Sequence, residues 1–469
     1  MKPTPEQDHI LDLCATRSEN LIINALAGCG KTSTLELIAP VVKVKPILYL
    51  CFNKRIAEEA RDKFPSYVSV KTLNSLGHGI WRQAIGKELK LNPKKSQEIL
   101  REIIGETPKK AQGVLWDVYW EVVNAVGLAK SLGYVPDGKF PNAKRLISQL
   151  DFHSRLDELP DDLVSDLIDQ VLFRSIKEAY DSKIDFNDQI YMPALFGGTF
   201  PRFPLVKVDE AQDLSPTNHA MLGKLAKGRL ISVGDPWQSI YGFRGAKIGG
   251  MSEMAVTHNM EPCPLSTSFR CPQVIVENAR WRVPHFNWVK KGGHVETLSD
   301  IDLSHFNDSA TIICRNNAPL FRLALRLLMA GHSVNVSGSD IGPKIITIMG
   351  KLGSDDMVQA TLIDKIEEWR EAKAAKESKT ANDLADCMRC FAEHGDTLSG
   401  AIAYAEHLFA QQGTIRLMTG HKAKGLEFDT VYHLDPWLIG TDEQDLNLRY
   451  VIQTRSKDQL FEINSKAIK

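Results

Sequence analysis

The sequence predicts an α/β protein made of two parallel-sheet domains, each interrupted by a helical insertion. Three observations carry that expectation. Short apolar runs alternate with amphipathic helical stretches near the start of the chain. That rhythm breaks between positions 81 and 180 and then resumes. A second strand–helix rhythm begins near Cys263 and is itself broken between 341 and 412. Strands separated by helices need crossover connections, which build a parallel sheet covered by helices.

Taken in order, Leu21–Ala25 reads as a buried strand, followed by glycines and a helix from Lys31 to Val42. Pro46–Phe52 is the second strand, Lys54–Phe64 an amphipathic helix, and Val68–Leu73 the third strand. From Ile80 to Tyr180 only helical spacing is found, as in Ser96–Ile104 and Asp162–Ile176. Strands return at Leu205–Val208 and Leu230–Val233. In the second domain Ala310–Arg315 is a strand and Leu320–Met329 a helix. The stretch 341–412 is helical, with the charged run Asp364–Lys379 as a solvated face. Thr414–Met418 and Thr430–Leu434 are strands, Leu446–Arg455 a helix and Gln459–Ile463 a last strand. The domain plan is therefore 1–80 and 181–260 around the insertion 81–180, then 261–340 and 413–469 around the insertion 341–412.

The 57 basic and 58 acidic side chains almost cancel, so any nucleic-acid site must be a local groove and not a global field. No apolar run reaches the roughly 18 residues of a membrane span, which argues against a membrane partner. The polar start Met1–Asp8 has no signal-peptide core, and the eight cysteines are scattered. A soluble, cytoplasmic protein is the expectation. Cys387 and Cys390 have C-x-x-C spacing without a second pair, which suits two helix cysteines better than zinc.

The chemistry concentrates in two places. Ala25-Leu26-Ala27-Gly28-Cys29-Gly30-Lys31-Thr32 joins a strand to a helix. Gly28 and Gly30 let backbone N–H groups turn toward phosphate oxygens, and the helix N-terminus adds positive potential. Lys31 would reach the β- and γ-phosphates of ATP and Thr32 would ligate Mg²⁺. Ala25 stands where the P-loop pattern has glycine. The second place is Leu205–Val208 followed by Asp209-Glu210-Ala211-Gln212-Asp213. Strand alternation would send Asp209 and Glu210 to different sides, one toward Mg²⁺ and one toward the attacking water.

Together with further blocks, this order resembles the superfamily 1A helicases of the UvrD/Rep/PcrA group over nearly the whole chain. Thr4-Pro5-Glu6-Gln7 is similar to the Q-motif, which implies adenine recognition by Gln7. Motif I implies nucleotide contacts from Ala27, Gly28, Cys29, Gly30, Lys31, Thr32 and Ser33. Tyr49–Lys54 resembles motif Ia, with Phe52 and Asn53 on the nucleic acid. Thr72-Leu73-Asn74-Ser75 resembles motif Ib, with Thr72 and Asn74 contacting the strand; Asn74 replaces the usual histidine. Ile184–Asp188 resembles a D-F-D-D segment. Motif II implies Mg²⁺ on Asp209 and water activation by Glu210. Gly234–Ala246 resembles motif III, with Gln238 sensing the γ-phosphate and Phe243 stacking on a base. Ser268-Phe269-Arg270 resembles motif IV: Phe269 replaces an adenine-stacking tyrosine, and Arg270 reaches the γ-phosphate. Thr419–Phe428 resembles motif V, with Gly425 and Glu427 at the nucleotide and Thr419 and His421 near the strand. Tyr450–Arg455 resembles motif VI, with Arg455 as a second arginine finger before Ser456 in place of alanine.

The resemblance implies two RecA-like P-loop domains that couple ATP hydrolysis to movement on single-stranded DNA, 3′-to-5′, with strand separation at single/double-strand junctions. RNA is the alternative strand, and the residues do not name a protein partner. Two other readings use the same motifs: a translocase that strips bound proteins with little unwinding, and a P-loop regulatory switch. The 341–412 block sits where relatives carry a larger accessory domain, so its deletion is expected to leave the ATPase largely intact.

Overall fold

The computed structural model describes residues 3–156, 159–337, 341–374 and 379–469. Positions 1–2 of the polar start and 375–378 of the charged run lie outside the described residues, as do the side chains at 55, 243 and 374–380. The chain forms two compact units. The first comprises 1–26 and 30–265, and the second 27–29 and 266–469.

The first unit is built on six strands: β1 (Asn20–Ala25), β2 (Ile47–Cys51), β3 (Val68–Thr72), β4 (Leu205–Val208), β5 (Arg229–Gly234) and β6 (Met260–Leu265). They run β3-β2-β4-β5-β1-β6, all parallel. β2 and β4 are buried at every position. Both faces of a parallel sheet are covered by its crossover helices, so its central strands carry continuous apolar runs and not an alternation. The edge strand β3 alternates instead. β6, which the sequence reading put at the start of the second domain, pairs with β1 and closes the first sheet.

The insertion in this unit holds helices Lys95–Glu106, Lys109–Asp117, Tyr119–Leu132, Gln149–His153 and Asp162–Tyr180. It has its own core, centred on Ile99, Leu100, Val122, Val126, Ile168 and Leu172. A buried charge cluster ties it to the D-F-N-D segment. Lys95 Nζ lies 2.7 Å from Asp188 Oδ2, and Lys130 Nζ lies 2.6 Å from Asp185 Oδ2 and 2.8 Å from Asp188 Oδ1. Each ammonium also donates to Ser175, Lys95 to its carbonyl and Lys130 to its hydroxyl. Two buried carboxylates thus meet two buried ammonium groups, the pairing that makes such burial tolerable. Asp185 and Asp188 are consumed in structure.

The second unit repeats the architecture with β7 (His294–Leu298), β8 (Thr311–Cys314), β9 (Val334–Val336), β10 (Ile415–Thr419), β11 (Phe428–Leu434) and β12 (Ser456–Ile463). Their order is β7-β12-β11-β8-β10-β9, again all parallel. The helices of 341–412, Gly342–Met349, Gln359–Ala374, Lys379–Ala392 and Leu398–Ala410, do not form a body of their own. They share one core with the sheet and with helix Asn317–Met329. The Phe321 ring sits 5.7 Å from that of Phe391 and 5.2 Å from that of Phe409. Cys387 and Cys390 are buried here as free thiols, both pushed up by burial, Cys390 to about 12. No helix among the described residues is long and apolar enough to cross a membrane.

This shared core corrects the deletion expectation. Removing 341–412 strips Leu384, Met388, Phe391 and Leu408 from the second sheet's cover, and a single large aromatic-to-alanine loss in such a core already costs about 3–5 kcal/mol. The deleted chain is expected to lose cooperative unfolding of the second unit, read by urea denaturation followed by circular dichroism. His433 in β11 gives a second test. It is fully buried, and neither ring nitrogen has a hydrogen-bond partner. Burial, then Arg449, lowers its pKa to about 3. Between that value and the ordinary one the unfolded chain binds more protons, so stability falls as pH falls, by up to about 1.4 kcal/mol per pH unit. Urea midpoints between pH 7 and 4.5 should fall more steeply in the native chain than in His433→Leu.

Candidate nucleotide and nucleic-acid sites

The carboxyl ends of three adjacent strands, β4, β5 and β1, place the first unit's polar groups together. In open parallel sheets this edge is where ligands bind. β1 runs into the loop that opens helix Lys31–Val41 at Gly30. Gly28 and Gly30 have φ of 73° and 77°, the left-handed region that the loop reading required of them. Lys31 Nζ lies 3.1 Å from Glu210 Oε2. Burial works against that ammonium, but the carboxylates of Glu210, Asp235 and Asp209 together hold its pKa above the ordinary value. Ser33, the next predicted contact, is an exposed residue on the helix's first turn.

Asp209 is buried and tied on every side. Its backbone N–H donates to Leu50 C=O at 3.0 Å, extending the β2–β4 ladder by one bond. Its Oδ1 accepts the Glu210 N–H at 2.9 Å. Its Oδ2 accepts from Tyr49 Oη at 2.7 Å and from Thr32 Oγ1 at 3.5 Å. Burial and the nearby Glu210 push its carboxyl up to about 6. A hydroxyl and a carboxylate converging on one spot fit Mg²⁺, a hard ion that completes its shell with phosphate and water oxygens.

Glu210 departs from the sequence expectation. Strand alternation does not aim it; the strand has ended at Val208, and Glu210 adopts φ 52°, ψ 44°. A non-glycine residue in this conformation costs on the order of 1–3 kcal/mol and persists where its surroundings enforce it. Here Gln212 Nε2 donates to Glu210 Oε2 at 2.6 Å, and Gln212 Oε1 accepts the Asp235 N–H at 3.0 Å. Asp235, with its pKa raised by burial, accepts from Gln238 Nε2 at 2.7 Å. Gln238 and Glu210 are therefore joined through Gln212 and Asp235. Neither of these two linkers, nor Tyr49, was assigned a role from sequence.

Gln7 is buried, and its amide is engaged within the unit. It completes a capping box with Thr4 and donates to Thr34 Oγ1 at 2.9 Å. Of the predicted nucleic-acid contacts, Phe52 is 40% exposed, with its ring parallel to that of Tyr241 at 6.2 Å. Asn53 and Thr72 cap the helices that follow them. Asn74 Nδ2 donates to Phe186 C=O and Gln189 Oε1. The Phe243 side chain lies outside the described residues; its backbone is in a short 3-10 turn, Gly242–Arg244.

Residues 27–29 group with the second unit. There the Ala27 N–H donates to the Tyr450 hydroxyl at 3.1 Å, Ser268 Oγ to Ala27 C=O at 2.9 Å, and the Phe269 N–H to Gly28 C=O at 2.9 Å. Cys29 is buried. Arg270 Nε pairs with Glu427 Oε2 at 2.7 Å. Arg455 is 1% exposed, donating to Val451 C=O and Leu426 C=O, so part of its guanidinium caps its own helix and braces the loop around Gly425. Thr419 is buried at the start of the turn Gly420–Ala423, which holds the half-buried His421.

Residues 161–259, which include Asp209, Glu210 and Gln238, match the UvrD/REP helicase N-terminal domain. That stretch of the first unit is what is similar to the UvrD/REP helicases. Over 98% of its length it is 24% identical to F-box DNA helicase protein 1 of Schizosaccharomyces pombe and 26% identical to F-box DNA helicase 1 of Gallus gallus, covering 57% and 49% of those proteins. DNA helicase IV of Escherichia coli is 26% identical over 54% of the chain and 43% of that relative. The chain thus spans about half the length of the curated relatives it matches.

In this UvrD/Rep-type domain the Gln212 bridge depends on Gly234 having no side chain. A Cβ there would lie 2.4 Å from Gln212 Oε1 and 2.7 Å from Met251 Sδ. Gly234→Ala should therefore lower stability by about 1–3 kcal/mol, measured by urea unfolding.

Proposed function

We propose that the chain is a DNA-dependent ATP hydrolase of the helicase type. The observation that carries the reading is the constellation of Lys31, Thr32, Asp209 and Glu210 beyond the carboxyl ends of the parallel strands β1 and β4, which flank β5. Lys31 supplies a fixed positive charge for the β- and γ-phosphates, beside the N–H groups of the helix start. Glu210, held by Gln212, accepts the proton of the water that attacks the γ-phosphorus. The bond from that phosphorus to the bridging oxygen breaks, and ADP leaves. Thr32 and Asp209 would hold Mg²⁺, which neutralises phosphate charge when bound. Gln238, linked through Asp235 and Gln212 to Glu210, is suited to report the γ-phosphate to that carboxylate.

In the second unit the family resemblance supports roles for Phe269, Arg270, Gly425, Glu427 and Arg455 at the nucleotide, and for Thr419 and His421 on the strand. In the first unit the exposed Phe52 ring beside Tyr241 suits base stacking, worth about 1–3 kcal/mol per base and tolerant of sequence. Asn53, Thr72, Asn74 and the Phe243 position complete the proposed strand contacts. The finer reading is 3′-to-5′ movement on single-stranded DNA with separation at single/double-strand junctions, supported by the family resemblance; the relatives' names support a DNA helicase.

The test is ATP hydrolysis with and without single-stranded DNA, for the native chain and Glu210→Gln. Stimulation by DNA is expected, with turnover reduced on the order of 10²–10⁴-fold in the variant, the range of a lost general base, while ATP is still bound. A native chain that binds ATP but is not stimulated by any single strand would replace this reading with that of a nucleotide switch.

A further inference from the structure

We propose that Tyr49 is a positioning residue for the Asp209 carboxylate, an inference that rests on the reading of Asp209 as the Mg²⁺ ligand. Tyr49 lies in the middle of β2 and is 0% exposed. Its Cα partner across the β2–β4 ladder is Lys207. Side chains two apart on a strand share a face, so Lys207 and Asp209 project to the side that Tyr49 occupies. The Tyr49 hydroxyl reaches past Lys207 and donates to Asp209 Oδ2 at 2.7 Å.

The ring is fixed in turn. Phe64 packs against it with ring centroids 4.7 Å apart. Lys207 Nζ sits 4.3 Å from the Phe64 centroid and 5.5 Å from that of Tyr49, and donates to Leu35 C=O at 2.8 Å. Leu35 belongs to the helix that begins with Lys31 and Thr32. One buried stack therefore links the phosphate-loop helix, β2 and the Asp209 carboxylate. Of the two oxygens, Oδ1 is held by one backbone N–H, and Oδ2 by Tyr49 and the longer Thr32 contact. Without the phenol, the carboxylate plane loses its shortest bond and rotates more freely. A divalent ion that needs near-ideal octahedral geometry is sensitive to that freedom.

The experiment is ADP binding by calorimetry with and without Mg²⁺, for the native chain, Tyr49→Phe, Phe64→Leu and Asp209→Asn. Tyr49→Phe keeps the ring and removes only the donor. It should leave Mg²⁺-free ADP affinity unchanged and weaken the gain in affinity on adding Mg²⁺ by about tenfold, a coupling change equivalent to about 1.4 kcal/mol. Phe64→Leu, which loosens the ring and keeps the hydroxyl, should show a smaller loss of the same kind. If Tyr49→Phe and Phe64→Leu both keep the native Mg²⁺ gain while Asp209→Asn loses it, the positioning role is overturned and the reading of Asp209 stands. If Asp209→Asn keeps the gain, that reading fails and the inference falls with it. Equal losses of ADP affinity with and without Mg²⁺ in Tyr49→Phe would show a general packing role and overturn the proposal.

Discussion

Two carboxylates follow directly on a strand that is buried at every position, and that constraint organises the first unit. A carboxylate at the edge of an apolar sheet needs partners, because burial without them is far more costly than the chain's marginal stability allows. Asp209 finds its partners in its own neighbour's N–H, in Tyr49 and in Thr32. Glu210 finds them in Lys31 and Gln212, at the cost of a left-handed backbone. The partners come from three separate stretches of sequence, so satisfying two charges fixes the relative placement of the helix that starts at Lys31, β2 and the turn after β4. The groups that chemistry would use are the groups that folding had to satisfy.

The two insertions meet their energetic needs differently. The first has enough apolar residues for a separate core and is fastened by Lys95 and Lys130 to the aspartates of the D-F-N-D turn. The second cannot be set apart, since its helices share one core with the second sheet and helix Asn317–Met329. Interruption of the strand rhythm looks the same in both cases. Whether an insertion is a module depends on where its apolar faces are buried, and periodicity does not report that.

Strands and helices were legible because their signals are local. β4 has the bounds its apolar run predicted, and helix ends moved by a few residues where capping decided them. The phosphate loop was legible because only glycine takes its backbone angles cheaply. Less was legible around it. Asn53 and Thr72 present themselves as helix caps, and Arg455 is turned largely inward, although each falls within a motif block. Tyr49 and Lys207 carried a readable signal: a phenol and an ammonium in strands that are otherwise apolar and buried on both faces must have partners. The partners' identity was not readable, because register between strands far apart in sequence is a tertiary fact.

The sequence by itself determined the two parallel sheets, the phosphate loop and the acidic pair after β4, since periodicity, glycine conformational freedom and strand-end chemistry act over a few residues. Tertiary structure alone decided that Gln212 and Asp235 join Glu210 to Gln238, that Tyr49 stands over Asp209, and that 341–412 belongs to the second unit's core. Each of those depends on groups brought within about 3–4 Å across long stretches of chain, where hydrogen bonds and packing act.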